Sequence, residues 1–394
     1  MTGGITARSA RRAAVRGAAA GAIAAGALGL AATSVAAYFA RRLVTPTPER
    51  VDDTVILAVG EGTVTLRDTE DTVAPGRYGL WLDGGAGHAR VGPVVDQDLR
   101  ARTVTRSLLG LDRGELRPGP ARWNQYFYAG TPAAALGLPY QDIEIGSELG
   151  PMPAWLVPAA AAGASRRWAV LVHGRGATRE ECLRALPVLQ RLGFTSLVVA
   201  YRNDRDAPAT PRGRYHLGDR EWSDVEAAVH RAVEGGAEEV VLVGWSMGAA
   251  MALQVASRSP AASVVRGLVL DAPVLDWRAV MAHLARVVRL PPPVGRLGEA
   301  MLGHSWAWRL AGVEAPVDFD RLDWVARAEQ LQIPLLVLHS EDDELVPCEP
   351  SRRLAAARPD LVTFVPSRGA RHTKEWNVDP EGWEAAVARF LLTL

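Results

Sequence analysis

Lysine is almost missing from the 394 residues: Lys374 is the single example, and the positive charge is otherwise arginine. Asparagine is scarce while alanine abounds, a composition that reflects genomic base bias and makes an arginine cluster weak evidence of function. Net charge is lacking too. Lys+Arg and Asp+Glu are both 44, so no field gathers nucleic acid or acidic partners, and neither is expected. Cysteine is limited to Cys182 and Cys348, which excludes a disulfide framework and the paired spacing of metal sites; no cofactor and no metal are expected. Isolated buried thiols are expected in place of a bridge. Apolar material is plentiful at 48%, enough for one large domain and a smaller one.

The amino terminus has no acidic residue to offset Arg8, Arg11, Arg12 and Arg16, and Gly17 to Ala40 carries no charge at all. At about 1.5 Å per residue that stretch is long enough to cross a bilayer. Its apolar quality is low, because alanine and glycine dominate and only Ile23, Leu28, Leu30, Val35 and Phe39 are strongly apolar. Three readings stay open for residues 1–44: a retained anchor, a signal peptide cut behind Ser34 and Ala36, or an Ala-rich extension. More arginines precede the stretch than closely follow it, which favours a cytoplasmic amino end and an exported body. Membrane attachment through this segment is the expectation, with secretion after cleavage as the alternative.

Residues 45–140 read as a small β-rich unit. Short runs at Thr54 to Val59, Thr63 to Leu66, Tyr78 to Leu82 and Ala89 to Val95 are separated by Gly, Pro and Asp clusters, the pattern of an antiparallel assembly. No catalytic constellation stands in it. From about Gln141 strands alternate with longer amphipathic segments, the signature of an α/β sheet. Ile143 to Ile145, Ala154 to Val157, Trp168 to Val172, Phe194 to Ala200, Val240 to Val243, Gly267 to Leu270, Pro334 to His339 and Leu361 to Val365 read as its strands. Thr178 with Glu181 is expected to form a capping box, and Asp219 to cap the helix through about Val233. Residues 273–330 break the rhythm with Pro291, Pro292 and Pro293 among Trp277, Trp306, Trp308 and Trp324, and are expected to form a helical cap over the sheet. Asp379 and Pro380 open a last helix that buries Trp383, Val387, Phe390 and Leu391.

The chemistry centres on Gly244, Trp245, Ser246, Met247, Gly248, where a buried strand turns sharply into a helix. Such a turn forces the serine into a strained conformation at the carboxyl edge of the sheet, and the two glycines remove side chains that would collide across it. Met247 opens the helix, so its N–H is unpaired and faces whatever Ser246 attacks. A serine needs a base, and the base an acid to hold its tautomer. Beyond the elbow, an acid is available among Glu341, Asp342, Asp343 and Glu344, and the one histidine after that cluster is His372. A second oxyanion donor belongs on the loop His173, Gly174, Arg175, Gly176; the Arg175 N–H is assigned to it, with Gly176 as the alternative and His173 as a structural residue. Trp245 and the cap tryptophans form either an apolar acyl or alcohol pocket or the packing of the cap. Arg175, Arg202 and Arg371 all follow strand ends, where they can meet an anionic group.

On these residues the chain from about Gln141 to Leu394 resembles the α/β-hydrolase superfamily, nearest its prolyl-oligopeptidase-like and serine-aminopeptidase-like branch, whose members often carry an amino-terminal anchor. The likeness rests on His173-Gly174, on Gly244 to Gly248, on Asp-x-x-Val-Pro at Asp343 to Pro347, and on His372 followed by Thr373. It implies a mostly parallel sheet flanked by helices, with Asp343 as the acid because it stands three residues before Val346. Asp342, Glu344 and Arg371 crowd that site with more charge than the family pattern has, and Asp271 is the position some members use for the acid. A serine at the elbow, where other relatives have aspartate, argues against haloalkane dehalogenation and epoxide opening. The expected function is a serine hydrolase that cleaves a carboxylic ester of a small-molecule or acyl substrate through an acyl-enzyme. A serine peptidase, a thioesterase or a catalytically silent binding scaffold is the alternative.

Overall fold

In the computed structural model the described residues are 26–27, 29–47, 51–160 and 165–394. Helix α1 covers 29–44. The chain then builds β1 (Thr54–Gly60), β2 (Thr63–Arg67), β3 (Tyr78–Leu82), β4 (Gly87–Asp98), β5 (Thr103–Arg113) and β6 (Gly119–Asn124), all paired antiparallel in a closed barrel of order β1-β2-β5-β4-β3-β6. Alternation along β2 puts Val64 and Leu66 inside with Ile56, Leu80, Val91, Val104 and Trp123, and closure removes the exposed edges of an open sheet.

A short helix, α2 (Pro132–Leu136), capped by the Thr131 hydroxyl, leads into the large sheet. Its elements are β7 (Gln141–Ser147), β8 (Gly150–Val157), β9 (Arg167–Val172), α3 (Leu186–Arg191), β10 (Thr195–Val199), α4 (Trp222–Glu234), β11 (Glu239–Trp245), α5 (Met247–Arg258) and β12 (Val265–Asp271). The cap follows as α6 (Trp277–Val287), α7 (Pro292–Gly303) and α8 (Trp308–Ala311), and the sheet resumes with β13 (Leu335–Ser340), α9 (Glu349–Ala357), β14 (Val362–Ser367), α10 (Glu375–Val378) and α11 (Pro380–Leu391). The strand order is β14-β13-β12-β11-β9-β10-β8-β7, all in one direction except β8, which is antiparallel to both its neighbours. The chain moves outward from β9 to β10 and then returns to lay β11 on β9's other side. This reversal opens a crevice at the carboxyl ends of β9 and β11, where open α/β sheets bind ligands.

Period-two alternation divides the core. Val240 and Leu242 face α4, α5 and the cap, whereas Val241, Val243 and Trp245 face α3 and α11. Trp245 therefore stacks on Trp383 at 6.4 Å on the far face of the sheet, beneath the Arg184 guanidinium, and is not part of an acyl pocket. Trp277 and Trp324 are buried in the cap core and Trp306 is exposed, so the tryptophans pack the cap more than they line a site. The three prolines stand at the start of α7, where a missing N–H costs nothing.

Two expected caps are absent. Thr178 makes no capping bond at the 3₁₀ turn Arg179–Ala185, because the Glu181 carboxylate instead accepts from the Gly174 N–H at 2.7 Å. Asp219 does not cap α4 but binds Arg321 at 2.9 Å and the Asp318 N–H at 3.1 Å.

Of the stretch expected to span a membrane, residues 17–25 and 28 lie outside the described residues. Among the described residues no helix is long and apolar enough to cross a membrane. Ala36, Ala40 and Val44, four residues apart on one face of α1, are buried in the core shared with the cap. Arg41 Nε donates to Leu310 O at 2.8 Å, and Val44 O accepts from the Tyr215 N–H at 2.8 Å. The small side chains that made this stretch a poor membrane span let α1 lie close against the protein.

Candidate active site

Ser246 sits between β11 and α5 with φ 52° and ψ −113°, a region an L-residue occupies at a cost of about 1–3 kcal/mol. The neighbouring glycines leave it no alternative. A Cβ on Gly244 would stand 2.6 Å from the Ala249 nitrogen, and one on Gly248 would stand 2.1 Å from Val172 O, so the helix start closes onto β9 only with hydrogen at both positions. The Ser246 N–H is tied to Asp271 O at 3.0 Å and its carbonyl accepts from the Val274 N–H at 3.2 Å. The side chain, 8% exposed, is held at the switch point.

His372 lies on the loop after β14. Its Nε2 is 2.9 Å from Ser246 Oγ and its Nδ1 is 2.7 Å from Asp343 Oδ2. Asp343 Oδ1 accepts from the N–H groups of Leu345 at 2.9 Å and Val346 at 2.8 Å. This explains the Asp-x-x-Val-Pro spacing: one carboxylate oxygen closes the turn and the other is left for the imidazole. Burial works against the Asp343 charge, but His372 and the hydrogen bonds from His339 and His372 outweigh it and hold the carboxyl well below the usual carboxylate range. For His372 burial favours the neutral ring, yet the Asp343 charge and hydrogen bond prevail and its pKa is raised.

The other acids of the cluster have different work. Glu344 accepts from the His372 N–H at 3.0 Å and pairs with Arg371 at 3.2 Å, and Asp342 accepts from the Gly369 N–H at 2.7 Å. The excess charge thus fixes the backbone of the histidine loop. Asp271 lies on the opposite side, where its Oδ2 accepts from Trp383 Nε1 at 2.6 Å. Burial raises both Asp271 and its neighbour Glu375, Glu375 the further of the two.

His339 was not singled out in the sequence, yet it touches Asp343 from the other side. Its Nε2 is 3.2 Å from Asp343 Oδ2 and 3.1 Å from Val346 O, and its Nδ1 is 2.7 Å from Ser351 Oγ. A carbonyl only accepts, so Nε2 carries the proton and Ser351 donates to Nδ1. The signal was a histidine ending an apolar strand four residues before the acid. Glu181, a helix cap by its spacing, reaches the Gly174 N–H beside the elbow.

On the loop after β9, a Cβ on Gly174 would lie 3.3 Å from Ser246 Cβ, which brings this backbone against the nucleophile position. His173 is structural: Nδ1 donates to Gly174 O at 2.9 Å, Nε2 meets Asp204 at 2.9 Å, and the ring stacks on Tyr201. Burial opposes its charge, and Asp204 outweighs burial and raises its pKa. Among the described residues the N–H groups of Arg175 and Met247 have no protein acceptor, as oxyanion donors require. Among the described residues no group of His, Cys, Asp and Glu side chains is placed to hold a metal ion, and both cysteines are free and buried.

The barrel braces this loop. Asp71 pairs with Arg371 at 2.9 Å, and Asn377 Nδ2 donates to Arg77 O at 2.6 Å and Gln125 O at 2.8 Å. From within the large domain, Arg184 Nη1 donates to Thr373 O at 2.7 Å.

Comparison with known proteins places the two units separately. A family model described as a domain of unknown function matches residues 55–124, the barrel. No curated protein matches. Among solved structures, an esterase from Pyrococcus furiosus is similar in two crystal forms, at 20% and 19% identity and TM-score 0.52 in both. They cover 67% and 68% of this chain and 94% and 97% of that one. The esterase Est1E from Butyrivibrio proteoclasticus, with ferulic acid bound, is 15% identical with a TM-score of 0.49, over 64% of this chain and 98% of that one. At such identities the likeness to the Pyrococcus furiosus esterase is one of fold. A second family model, described as the alpha/beta hydrolase family, matches residues 169–386, more than half of the chain, and on that match the protein belongs to the alpha/beta hydrolase family.

Proposed function

We propose that the protein is a serine hydrolase of carboxylic esters. The observation that carries this reading is the unbroken sequence of hydrogen bonds from Asp343 through His372 to a Ser246 held at positive φ. Ser246 Oγ attacks the ester carbonyl as His372 Nε2 takes its proton. The N–H groups of Met247 and Arg175 receive the oxyanion, and the alcohol departs with the proton from His372. Water activated by the same imidazole then releases the acid. Asp343 fixes the tautomer in which Nδ1 donates and Nε2 accepts, and His339 with the turn N–H groups keeps Asp343 ionised. The Asp-x-x-Val-Pro and His-Thr pairings support the prolyl-oligopeptidase-like and serine-aminopeptidase-like branch as the finer placement.

The test is covalent labelling by a fluorophosphonate probe together with burst kinetics on 4-nitrophenyl butyrate. Wild-type protein labels at Ser246 and shows a burst; Ser246→Ala loses both, with turnover lower by about 10⁶, and His372→Ala labels slowly. Folded wild-type protein that neither labels nor turns over activated esters or thioesters is a silent scaffold.

A further inference from the structure

Three arginines follow strand ends at the site's edge, and their surroundings separate them. Arg202 is held by Asp224 through Nε at 2.8 Å and Nη2 at 2.7 Å. Arg371 is paired with Asp71 at 2.9 Å and Glu344 at 3.2 Å. Both charges are spent on architecture. Arg175 is half-buried and, among the described residues, has no carboxylate and no carbonyl partner.

Its neighbours add positive charge and no negative charge. Beyond burial itself, the groups acting on its guanidinium are Tyr215, Tyr201 and Arg42, and the last is another cation. Arg42 is brought there by the end of α1: Val44 O accepts from the Tyr215 N–H at 2.8 Å, and a Cβ on Gly176 would stand 2.4 Å from Thr47 Oγ1. The segment leaving α1 therefore lies directly against the residue that follows Arg175. Arg214, next to Tyr215, donates to the Thr45 hydroxyl, and among the described residues Arg42 reaches only the Tyr38 hydroxyl, at 3.4 Å. Among the described residues none of the three is paired with an acid. Gathering like charges at a half-buried position with no counterion among the described residues is unfavourable, and an anion entering with the substrate removes that cost.

We propose that the ester this site takes carries a carboxylate or phosphate near its scissile carbonyl, and that the Arg175 guanidinium, with Arg42 from the end of α1, binds that anion. The inference rests on the hydrolase reading and names its substrate class. Arg175 then serves twice, its backbone N–H toward the oxyanion and its side chain toward the fixed charge, which ties recognition of the anion to alignment of the carbonyl. Residues 42–47, far from the hydrolase domain in sequence, become one wall of the substrate site.

The test compares kcat/KM on the full chain for two matched pairs: mono-4-nitrophenyl glutarate against 4-nitrophenyl valerate, with the charge on the acyl side, and 3-butyryloxy-4-nitrobenzoate against 2-nitrophenyl butyrate, with the charge on the alcohol side. At least one anionic ester is expected to exceed its neutral partner by about ten- to hundredfold, as a charged hydrogen bond supplies. The anionic-to-neutral ratio should fall to near one in Arg175→Met, hold in part in Arg175→Lys, and drop partway in Arg42→Gln, an exposed position whose change leaves folding intact. Fluorophosphonate titration counts competent sites in each variant. Neutral esters turned over as fast as both anionic ones, or a preference that survives Arg175→Met, overturns the inference and leaves the hydrolase reading standing. Absence of turnover on all four esters together with absence of labelling overturns the hydrolase reading itself, and this inference with it.

Discussion

The barrel and the carboxyl edge of the large sheet each take an arginine out of solvent, and they treat it in opposite ways. Arg106 is fully buried in the barrel, where Nε donates to Gly92 O, Nη1 to Thr72 O and Ala74 O, and Nη2 to Gly76 O at 2.6–2.8 Å. Tyr78 and Trp123 cover its faces. Burial lowers its pKa to about 10, against the pull of Tyr78, which leaves it charged at neutral pH. Arg175 has no such partner among the described residues. The same division runs through the backbone: Ser246 is held at positive φ and, among the described residues, the N–H groups of Met247 and Arg175 lack protein acceptors, whereas the four carbonyls around Arg106 are consumed. In this pair, satisfied burial goes with a residue that shapes the protein, and strain beside open groups goes with the place where something from outside completes it.

The comparison breaks most readily at Asp343. Asp343→Asn is expected to lower kcat by about 10⁴, because an amide no longer enforces the tautomer in which His372 Nε2 accepts. The pH profile gives an independent reading. On the proposed mechanism Ser246 is activated only by the neutral ring, and Asp343 raises the His372 pKa above its ordinary 6.5, so wild-type kcat/KM should fall on the acid side through a midpoint above that value. Without the Asp343 charge, burial favours the neutral ring against only the weaker pull of Glu181 and Glu344, and the residual activity of Asp343→Asn should have its midpoint at lower pH. An unmoved midpoint would place the titrating group elsewhere.

Local patterns made the strands, the elbow and the order serine, acid, histidine legible, because each depends on residues a few positions apart. The antiparallel character of residues 54–124 was legible in the same way, but closure was not. It depends on β1 meeting β6 through Thr54 and Ala121, a pairing no local period encodes. Glu181 illustrates the limit: three residues after a threonine it has the spacing of a cap, and the bare N–H of Gly174, brought close only by the fold, outcompetes that local use. For Trp245 the sequence leaves pocket and packing open, yet its alternation with Val241 and Val243 assigns it to the face under α11. The place of α1 was hidden because alanines four residues apart suit a close protein surface as well as a lipid one.

A second way to sharpen the comparison acts on the barrel. Arg106→Met strips four buried carbonyls of their donors, and about 3–5 kcal/mol of stability should be lost, seen as a lower midpoint in denaturant. Turnover per titrated Ser246 should stay at the wild-type level below that midpoint. A fall in kcat without loss of stability would mean that this arginine acts on the site through the Asn377 contact.

A smaller effect is expected at Glu344, which is partly exposed but anchors the His372 N–H. Glu344→Ala should reduce kcat by about tenfold, the loss of one charged hydrogen bond, with KM for a neutral ester unchanged. Glu344→Gln keeps an acceptor for that N–H and should recover most of the loss; equal defects in the two variants would point to the Arg371 ion pair instead.

The least effect is expected at Asp271, and it decides between the two acid positions open in the sequence. Asp271 ends β12, one strand from the elbow, and its backbone carbonyl accepts from the Ser246 N–H, so proximity alone favours it. Its side chain takes the other face of the sheet, toward Trp383 and Glu375, and His372 is satisfied by Asp343 and Ser246. Asp271→Asn keeps an oxygen for the Trp383 indole and removes a charge that burial already penalises. Stability should therefore change by no more than about 1 kcal/mol, and kcat should stay within a few-fold of wild type. The acid midpoint should stay in place too, because the charge that raises His372 is that of Asp343. A loss at Asp271→Asn as deep as that at Asp343→Asn, with the midpoint displaced, would transfer the tautomer-fixing role to β12.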